Sequence, residues 1–199
     1  TSTIYVNATT DETISSWKLD YNGTNYTITI NQSFTFLEGN NHNLKLWAND
    51  SVGNWGLNNS IYFTIDTTPP TYSLNQTNSK DAGKSTNFSI YVNDNVALNP
   101  NGQYVFSTNN TGYWVNESPI NFTATPIWAN KTKTLNTTGN LLVSYRWYLN
   151  DSSGNNNNTI VFNITTTDVI PPTYSKNQTN NTNIGQATNF SLYVNDETT

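Results

Sequence analysis

The 199-residue sequence has no cysteine, no methionine, a single histidine and few charged side chains. Without cysteine there is no disulfide, no thiolate metal site and no cysteine nucleophile. Only 11% of the residues are charged, against about 25% in ordinary soluble domains. The eight Lys and Arg are scattered along the chain, whereas a nucleic-acid-binding protein needs them clustered. No apolar run reaches the roughly 18 residues of a membrane-spanning helix. We therefore predict neither a nucleic-acid partner nor a membrane-spanning segment.

Small polar residues fill the chain instead, with 37 Asn, 33 Thr and 17 Ser. Aromatic residues are frequent as well, at 13%. Thr, Tyr, Val and Ile favour strands, and Asn and Gly favour turns. No stretch keeps the apolar period of an amphipathic helix. The composition predicts an all-β protein with small, aromatic-rich cores.

An internal repeat organises the sequence. Residues 69–94, PPTYSLNQTNSKDAGKSTNFSIYVND, return at 171–196 as PPTYSKNQTNNTNIGQATNFSLYVND, an offset of 102. The turn NDSVGN at 49–54 returns as NDSSGN at 150–155, an offset of 101. This spacing is too long for a solenoid repeat and suits a string of autonomous β-sandwich domains.

The repeat predicts three units in the chain. Residues 3–7, TIYVN, align with 89–93, SIYVN, which we interpret as strand B of a sandwich. The first unit, 1–68, then starts at strand B without strand A; the second, 69–170, is complete; and 171–199 are the first strands of a further unit. We expect the chain to be an excerpt of a longer array. The alternative is a strand-exchanged subunit, in which a neighbour completes each partial domain.

Alternation of apolar and polar residues predicts the side chains that face the cores. These side chains are Phe88, Ile90, Val92, Phe190, Leu192, Val194, Leu44, Leu46, Ala48, Tyr145, Trp147, Leu149, Ile61, Phe63, Ile65, Ile160, Phe162 and Ile164. We also expect a buried position for Trp17, whereas Trp47 and Tyr148 point outward. The tryptophans could instead form a sugar-binding platform, but packing is the simpler interpretation.

The order of the motifs resembles a known family. An aromatic-rich strand precedes the N-D-S-x-G-N turn, an F-x-I strand, the D-x-x-P-P linker and then T-Y-S-x-N-Q-T. This order is similar to the tandem immunoglobulin-like repeats of large archaeal cell-surface proteins and, more widely, of bacterial ones. The resemblance covers essentially the whole chain. It implies tandem immunoglobulin-like β-sandwich domains in an extended array, in a protein located outside the cell, at its surface.

The predicted function follows from that resemblance. We expect a structural protein, the repeat unit of a glycosylated extracellular filament, stalk or surface layer, and not an enzyme. The alternative is an adhesin or carbohydrate-binding immunoglobulin-like module of a large surface protein, and a passive spacer beside an enzyme is a third possibility. The expected partners are covalent glycans and either copies of the chain or further repeats of the same polypeptide, arranged head to tail.

Sequons for N-glycosylation are the strongest chemical signal in the sequence, because they are about twice as frequent as shuffling the residues would give. Nineteen Asn-x-Ser/Thr sites occur, at Asn7, Asn22, Asn25, Asn31, Asn49, Asn58, Asn75, Asn87, Asn109, Asn116, Asn121, Asn130, Asn136, Asn150, Asn157, Asn163, Asn177, Asn180 and Asn189. A genome rich in Asn codons would also raise their number. We predict glycosylation of several of these sites, first at the pairs that the repeat relates.

Acidic residues recur with the repeat at a hairpin, a linker and a strand end. The recurring pairs are Asp50/Asp151, Asp66/Asp168 and Asp94/Asp196. Oxygen ligands from several loops could hold Ca²⁺ and stiffen the array. Turn formation explains the same residues without a metal, because Asp closes tight turns. We predict no cofactor and no metal ligands, and keep Ca²⁺ as an open hypothesis.

Candidate catalytic residues are few, and none is predicted to act. His42 has Val143 at its repeat position and is expected on the surface. Two carboxylate pairs, Asp11–Glu12 and Asp196–Glu197, are adjacent in sequence and expected on exposed loops. A glycosidase needs two carboxylates that face one cleft, and nothing in the sequence brings such a pair together.

Overall fold

A computed structural model of the protein describes residues 1–58, 60–180 and 182–196, and every regular element among them is a β-strand. The predicted all-β fold is confirmed. The strands are β1 Ser2–Val6, β2 Ile14–Tyr21, β3 Thr24–Ile28, β4 Gln32–Phe36, β5 Gly39–Asp50, β6 Trp55–Leu57, β7 Ile61–Ile65, β8 Thr71–Thr77, β9 Ser85–Asn93, β10 Gln103–Thr108, β11 Val115–Asn116, β12 Ile120–Asn121, β13 Ile127–Thr134, β14 Leu142–Asn150, β15 Asn156–Asn158, β16 Phe162–Thr165, β17 Thr173–Thr179 and β18 Phe190–Asn195.

Strands β1 to β7 form the first sandwich. One layer is the antiparallel pair β1–β4; the other has the order β3-β2-β5-β6, with β7 also paired to β5. The buried core between the layers is small, and other apolar side chains, such as Phe34 and Phe63, pack against it while only partly buried. It consists of Val6, Leu19, Phe36, Leu44 and Ile65.

Strands β8 to β16 form the middle sandwich. One layer has the order β13-β9-β8, and the other is built around β10 and β14, which also pairs with β15 and β16. Both layers contribute residues to the core of this sandwich. Its core is larger and rich in aromatic rings, with Phe88, Phe106, Tyr145 and Trp147 each at most 1% exposed.

Strands β17 and β18 form a two-stranded sheet of their own that repeats the β8–β9 pairing. Tyr174 pairs with Val194 as Tyr72 pairs with Val92, and every other pair is likewise shifted by 102 residues. Both ladders contain a bulge at the same place, and each bulge includes a non-glycine residue of positive φ, Leu74 at 51° or Lys176 at 53°. The sequence repeat is therefore also a structural repeat.

The predicted inward faces are confirmed on the central strands. Alternate residues of β9 and β14 are buried, and Leu44 and Ile65 lie in the first core. The prediction is wrong at Ile61 and Ile160, which are 50% and 67% exposed. Phe190, Leu192 and Val194, also predicted to face a core, are exposed as well. Ile61 is the first residue of β7, and Ile160 lies in the gap between β15 and β16. Both therefore stand at the margin of the sheet, where their side chains stay exposed.

His42 corrects another expectation, because it is buried and not on the surface. Strand β5 begins as early as Gly39, so His42 has the same inward orientation as Leu44, two residues later. Its ring lies between the rings of Tyr21 and Phe63, and its Nδ1 is 2.7 Å from the Tyr21 hydroxyl. Trp17, by contrast, is only half-buried, and Leu19 occupies the core on that strand.

Candidate functional site

The turn after β14 fixes the carboxylate of Asp151. Its Oδ1 accepts hydrogen bonds from the backbone N–H groups of Ser153 and Asn155, at 2.8 and 2.9 Å. Its Oδ2 accepts from the Asn155 side chain at 2.8 Å. Asp50 makes the same three bonds in the first sandwich, to Val52 and Asn54. Bonds from the Asn54 backbone and side chain hold the pKa of Asp50 below its ordinary value. Turn formation thus accounts for both residues, as one of the two interpretations predicted.

Two further aspartates meet Asp151, which turn formation does not require. Asp66 follows β7 in the connection between the sandwiches, and Asp94 directly follows β9. One carboxylate oxygen from each of the three lies within 4.8 Å of the others. Asp94 and Asp151 are 6% and 1% exposed. We call these three residues the acidic cluster; it takes one member from each recurring pair that the sequence singled out.

Two carboxylate oxygens of the cluster have no hydrogen-bond donor among the described residues. Asp94 Oδ1 accepts from the N–H groups of Val96 and Ala97, but its buried Oδ2 has no partner among the described residues. The buried Oδ2 of Asp66 is likewise without a partner there. Burial, together with the charges of Asp151 and Asp94, raises the pKa of Asp66. The salt bridges found in the described part of the chain all lie elsewhere.

Hydrogen bonds beside the cluster join the first sandwich to the middle one. Glu38, which follows β4, accepts from the side chains of Asn95 at 3.0 Å and Thr68 at 2.9 Å. These bonds lower the pKa of Glu38 to about 2. The Asn155 side chain donates to the backbone oxygen of Asp66 at 3.2 Å. Sequence reasoning missed Glu38 because Gly139 stands at its repeat position, so it left no recurring signal.

The sequon asparagines lie at the surface or partly below it. Of the nineteen, thirteen are exposed and six are half-buried. Exposure is a condition for glycosylation, so the prediction remains open at every site. Some side-chain nitrogens are already engaged: Asn157 donates to the Pro70 oxygen at 2.7 Å, and Asn75 donates to the Tyr145 hydroxyl at 2.9 Å. A glycan on either nitrogen would disturb that bond.

A shallow groove lies on the outer face of the first sandwich. Lys18, Asn25, Trp47 and Trp55 line it, and its volume is about 220 Å³. The Lys18 ammonium lies 4.3 Å from the centre of the Trp55 ring, a cation–π contact. The outward orientation predicted for Trp47 agrees with this position.

The other candidate residues are not brought into a common site. Asp11 and Glu12 are exposed on the loop before β2. Asp168 and Asp196 lie outside the acidic cluster, and Glu197 lies outside the described residues. Within the described residues there is no helix that is long and apolar enough to cross a membrane.

The chain matches no protein-family model and no curated protein. The resemblance to immunoglobulin-like surface repeats therefore stays a prediction that rests on the motifs.

Proposed function

We propose that this chain is a structural repeat unit of a glycosylated extracellular filament, stalk or surface layer. The observation that supports this most is the β17–β18 hairpin, which has a sequence similar to that of β8–β9 and the same strand register, but which no second sheet faces among the described residues. A protein built from such repeats gains length by adding sandwiches. Its function is then mechanical, and the chain needs no catalytic site.

The burial of the two hairpins differs sharply. Phe88, Ile90 and Val92 are at most 1% exposed, whereas the equivalent Phe190 is 75% exposed. Leu192 and Val194 are also more than half exposed. A lone two-stranded hairpin is at best marginally stable in water. We infer that further strands cover this apolar face, supplied head to tail by a following repeat or by another copy of the chain.

The first sandwich offers a fitting surface at its β1 edge. A cleft of about 270 Å³ is lined there by Ile4, Tyr5, Val6, Asn7, Leu44, Ile61 and Phe63. Strand β8 occupies the corresponding side of the middle sandwich, where the Tyr72 hydroxyl accepts a hydrogen bond from the Ile160 N–H at 3.2 Å. Its repeat equivalent, Tyr174 on β17, is 77% exposed. A strand of the β17 type would therefore fill this cleft, which supports head-to-tail assembly.

The surface chemistry supports an extracellular, glycosylated protein. Lys is the usual residue that blocks edge strands from pairing with other chains, and this chain has only eight Lys and Arg in total. Thirteen exposed sequons offer a substitute, because a bulky glycan next to an edge also prevents pairing.

Proteolysis of intact source cells tests the location and the glycosylation together. Brief protease treatment should release peptides of this chain before the cells lyse, and these peptides should carry hexose mass on Asn. We expect high occupancy at Asn25 and Asn163, which are exposed on strands, and low occupancy at Asn157, whose nitrogen is bonded to Pro70. Release only after lysis, with unmodified Asn throughout, would contradict the proposal.

A carbohydrate-binding role is the second candidate, and the groove lined by Trp47 and Trp55 favours it. Paired aromatic rings with adjacent amide and ammonium groups suit the apolar face and the hydroxyls of a sugar. Glycan-array binding that is lost in Trp55→Ala would support this alternative. Absence of binding to any glycan would leave the groove as packing surface and rule this role out.

A further inference from the structure

We propose that Asp66, Asp94 and Asp151 bind one Ca²⁺ at the junction between the first and the middle sandwich. The inference does not depend on where the protein is located or on whether it is glycosylated. It rests on the geometry of the acidic cluster and on the oxygens there that lack partners.

Like charges provide the first argument. Carboxylates that share one site cannot all remain ionised without compensation, and an unpaired buried charge is costly. Here three aspartate oxygens lie within 4.8 Å of one another. No Lys or Arg in the described ranges forms a salt bridge with any of them. A divalent cation held by the three oxygens would compensate this charge.

The unpartnered oxygen of Asp94 provides the second, independent argument. This side chain is 94% buried, since its exposed fraction is 6%, and two backbone N–H groups already satisfy its Oδ1. Its Oδ2 has no donor among the residues that the structure describes. Turn formation therefore explains why residue 94 is an aspartate with one occupied oxygen, but not why its second oxygen is buried without a donor in a residue that clusters with two more carboxylates. A cation among the three aspartates would give that oxygen a partner.

The first sandwich shows what turn formation looks like without the cluster. Asp50 makes the same turn as Asp151, but the position equivalent to Asp94 is Ala8, because residues 3–8 align with 89–94. The first sandwich thus has the aspartate of the turn, Asp50, but no aspartate at the end of the strand equivalent to β9. One repeat after the cluster, Asp168 and Asp196 again provide the linker and strand-end acids.

The chemistry of the ligands selects the ion. All three ligands are hard oxygens, and the cluster contains neither histidine nor cysteine, which zinc and copper sites usually use. The aspartates come from three separate segments with no regular spacing. Ca²⁺ tolerates such irregular sets and takes 6–8 oxygens, whereas Mg²⁺ demands near-octahedral geometry. Backbone oxygens and water would complete the coordination.

Binding would stiffen the junction. Asp66 belongs to the connection that leaves β7, while Asp94 and Asp151 belong to two loops of the middle sandwich. An ion held by all three would fix the connection against the end of the middle sandwich. The ion would add to the two hydrogen bonds that already join the sandwiches there. One runs from Asn155 to the backbone oxygen of Asp66, and the other from Asn95 to Glu38.

Calcium titration of the full 199-residue chain tests the proposal. The chain is stripped with EDTA, dialysed and titrated with CaCl₂ in a calorimeter, and its melting temperature is recorded with and without Ca²⁺. We expect one site per chain with Kd of about 10⁻³ M or tighter. Saturation at about 100 times Kd should raise the melting temperature of the middle sandwich by about 10 °C. Asp94→Asn should weaken binding by at least about 10-fold, because the site loses a charged ligand.

Two variants separate metal binding from turn structure. In EDTA, Asp94→Asn should melt above the unsubstituted chain, because it relieves repulsion; in saturating Ca²⁺ the order should reverse. Asp66→Asn should behave in the same way and provides a second test if Asp94→Asn does not fold. Asp50→Asn, the matched control, should change the melting temperature equally in both conditions.

The proposal is overturned by the absence of saturable binding up to about 10 mM Ca²⁺. An equal Ca²⁺ response in Asp94→Asn, or an equal stabilisation by Mg²⁺, would also overturn it.

Discussion

Replacing Trp147 with alanine should lower the free energy of unfolding of the middle sandwich by about 3–5 kcal/mol. The Trp147 ring is fully buried at the centre of β14 and lies against the rings of Phe106 and Tyr104, with centroids 4.8 and 5.8 Å apart. Its removal would leave a cavity that the rigid strands cannot close. Urea denaturation followed by far-ultraviolet circular dichroism measures the loss.

Trp114→Ala is the matched control in the same sandwich. That ring is 43% exposed and contacts Arg146 across its face. We expect a loss of less than about 1 kcal/mol, the range of an exposed cation–π contact. A similarly small loss for Trp147→Ala would mean that β14 presents its other face to the core.

The second large effect is a difference in stability loss between the same substitution at two positions that the repeat relates, Phe88 and Phe190. Phe88→Ala should cost about 3–5 kcal/mol, because Phe88 is buried and packs against Phe106 and Tyr145. Phe190→Ala, one repeat later, should change the free energy of unfolding of this chain by less than about 0.5 kcal/mol. Its side chain is 75% exposed, and no second sheet faces it in the part of the chain that the structure describes. Thermal and urea unfolding of both variants measure the difference.

Equal losses at the two positions would contradict this account of the hairpin. They would mean that β18 is already covered within the chain, for example by folding back on the first sandwich. Asn189→Ala serves as a check on the local ladder. It removes a polar side chain beside Phe190 and should cost equally little.

Much of the fold follows from patterns in the sequence, because a strand with one buried face alternates apolar and polar residues. The alternation in β9 and β14 predicts the core faces correctly because both strands are central to their layers. The Asn-Asp-Ser-x-Gly-Asn motifs predict hairpins correctly because Gly53 and Gly154 adopt φ of 97° and 90°, which other residues rarely do. These features depend on neighbours that are close in sequence.

The errors arise where long-range packing decides burial. His42 is buried because β5 starts earlier than expected and because Tyr21 offers a hydrogen bond, and neither is visible in the residues around it. Ile61 and Ile160 continue the apolar pattern but stand at the margin of the sheet, where their side chains stay exposed. Strand ends and sheet margins depend on how far two layers overlap, which alternation cannot indicate.

The acidic cluster is also predictable only in part from the sequence. The repeat identifies acids at a hairpin, a linker and a strand end, and these are the three kinds of position that meet. It does not indicate that Asp66 joins Asp94 and Asp151, because that contact depends on how the connection approaches the loops after β9 and β14. The sequence thus predicts which kinds of residue form the cluster, but not which individual aspartates come together in it.

One measurement on a lengthened chain tests the central claim that β17–β18 opens a further sandwich. Residues 171–196 repeat 69–94, so a copy of residues 95–168 placed after Asp196 supplies the strands that the middle sandwich uses. Backbone amide exchange of β18, followed by mass spectrometry, is compared in the two chains. The account predicts that exchange of β18 slows in the lengthened chain to the rates of β9. Equally fast exchange of β18 in both chains would contradict it.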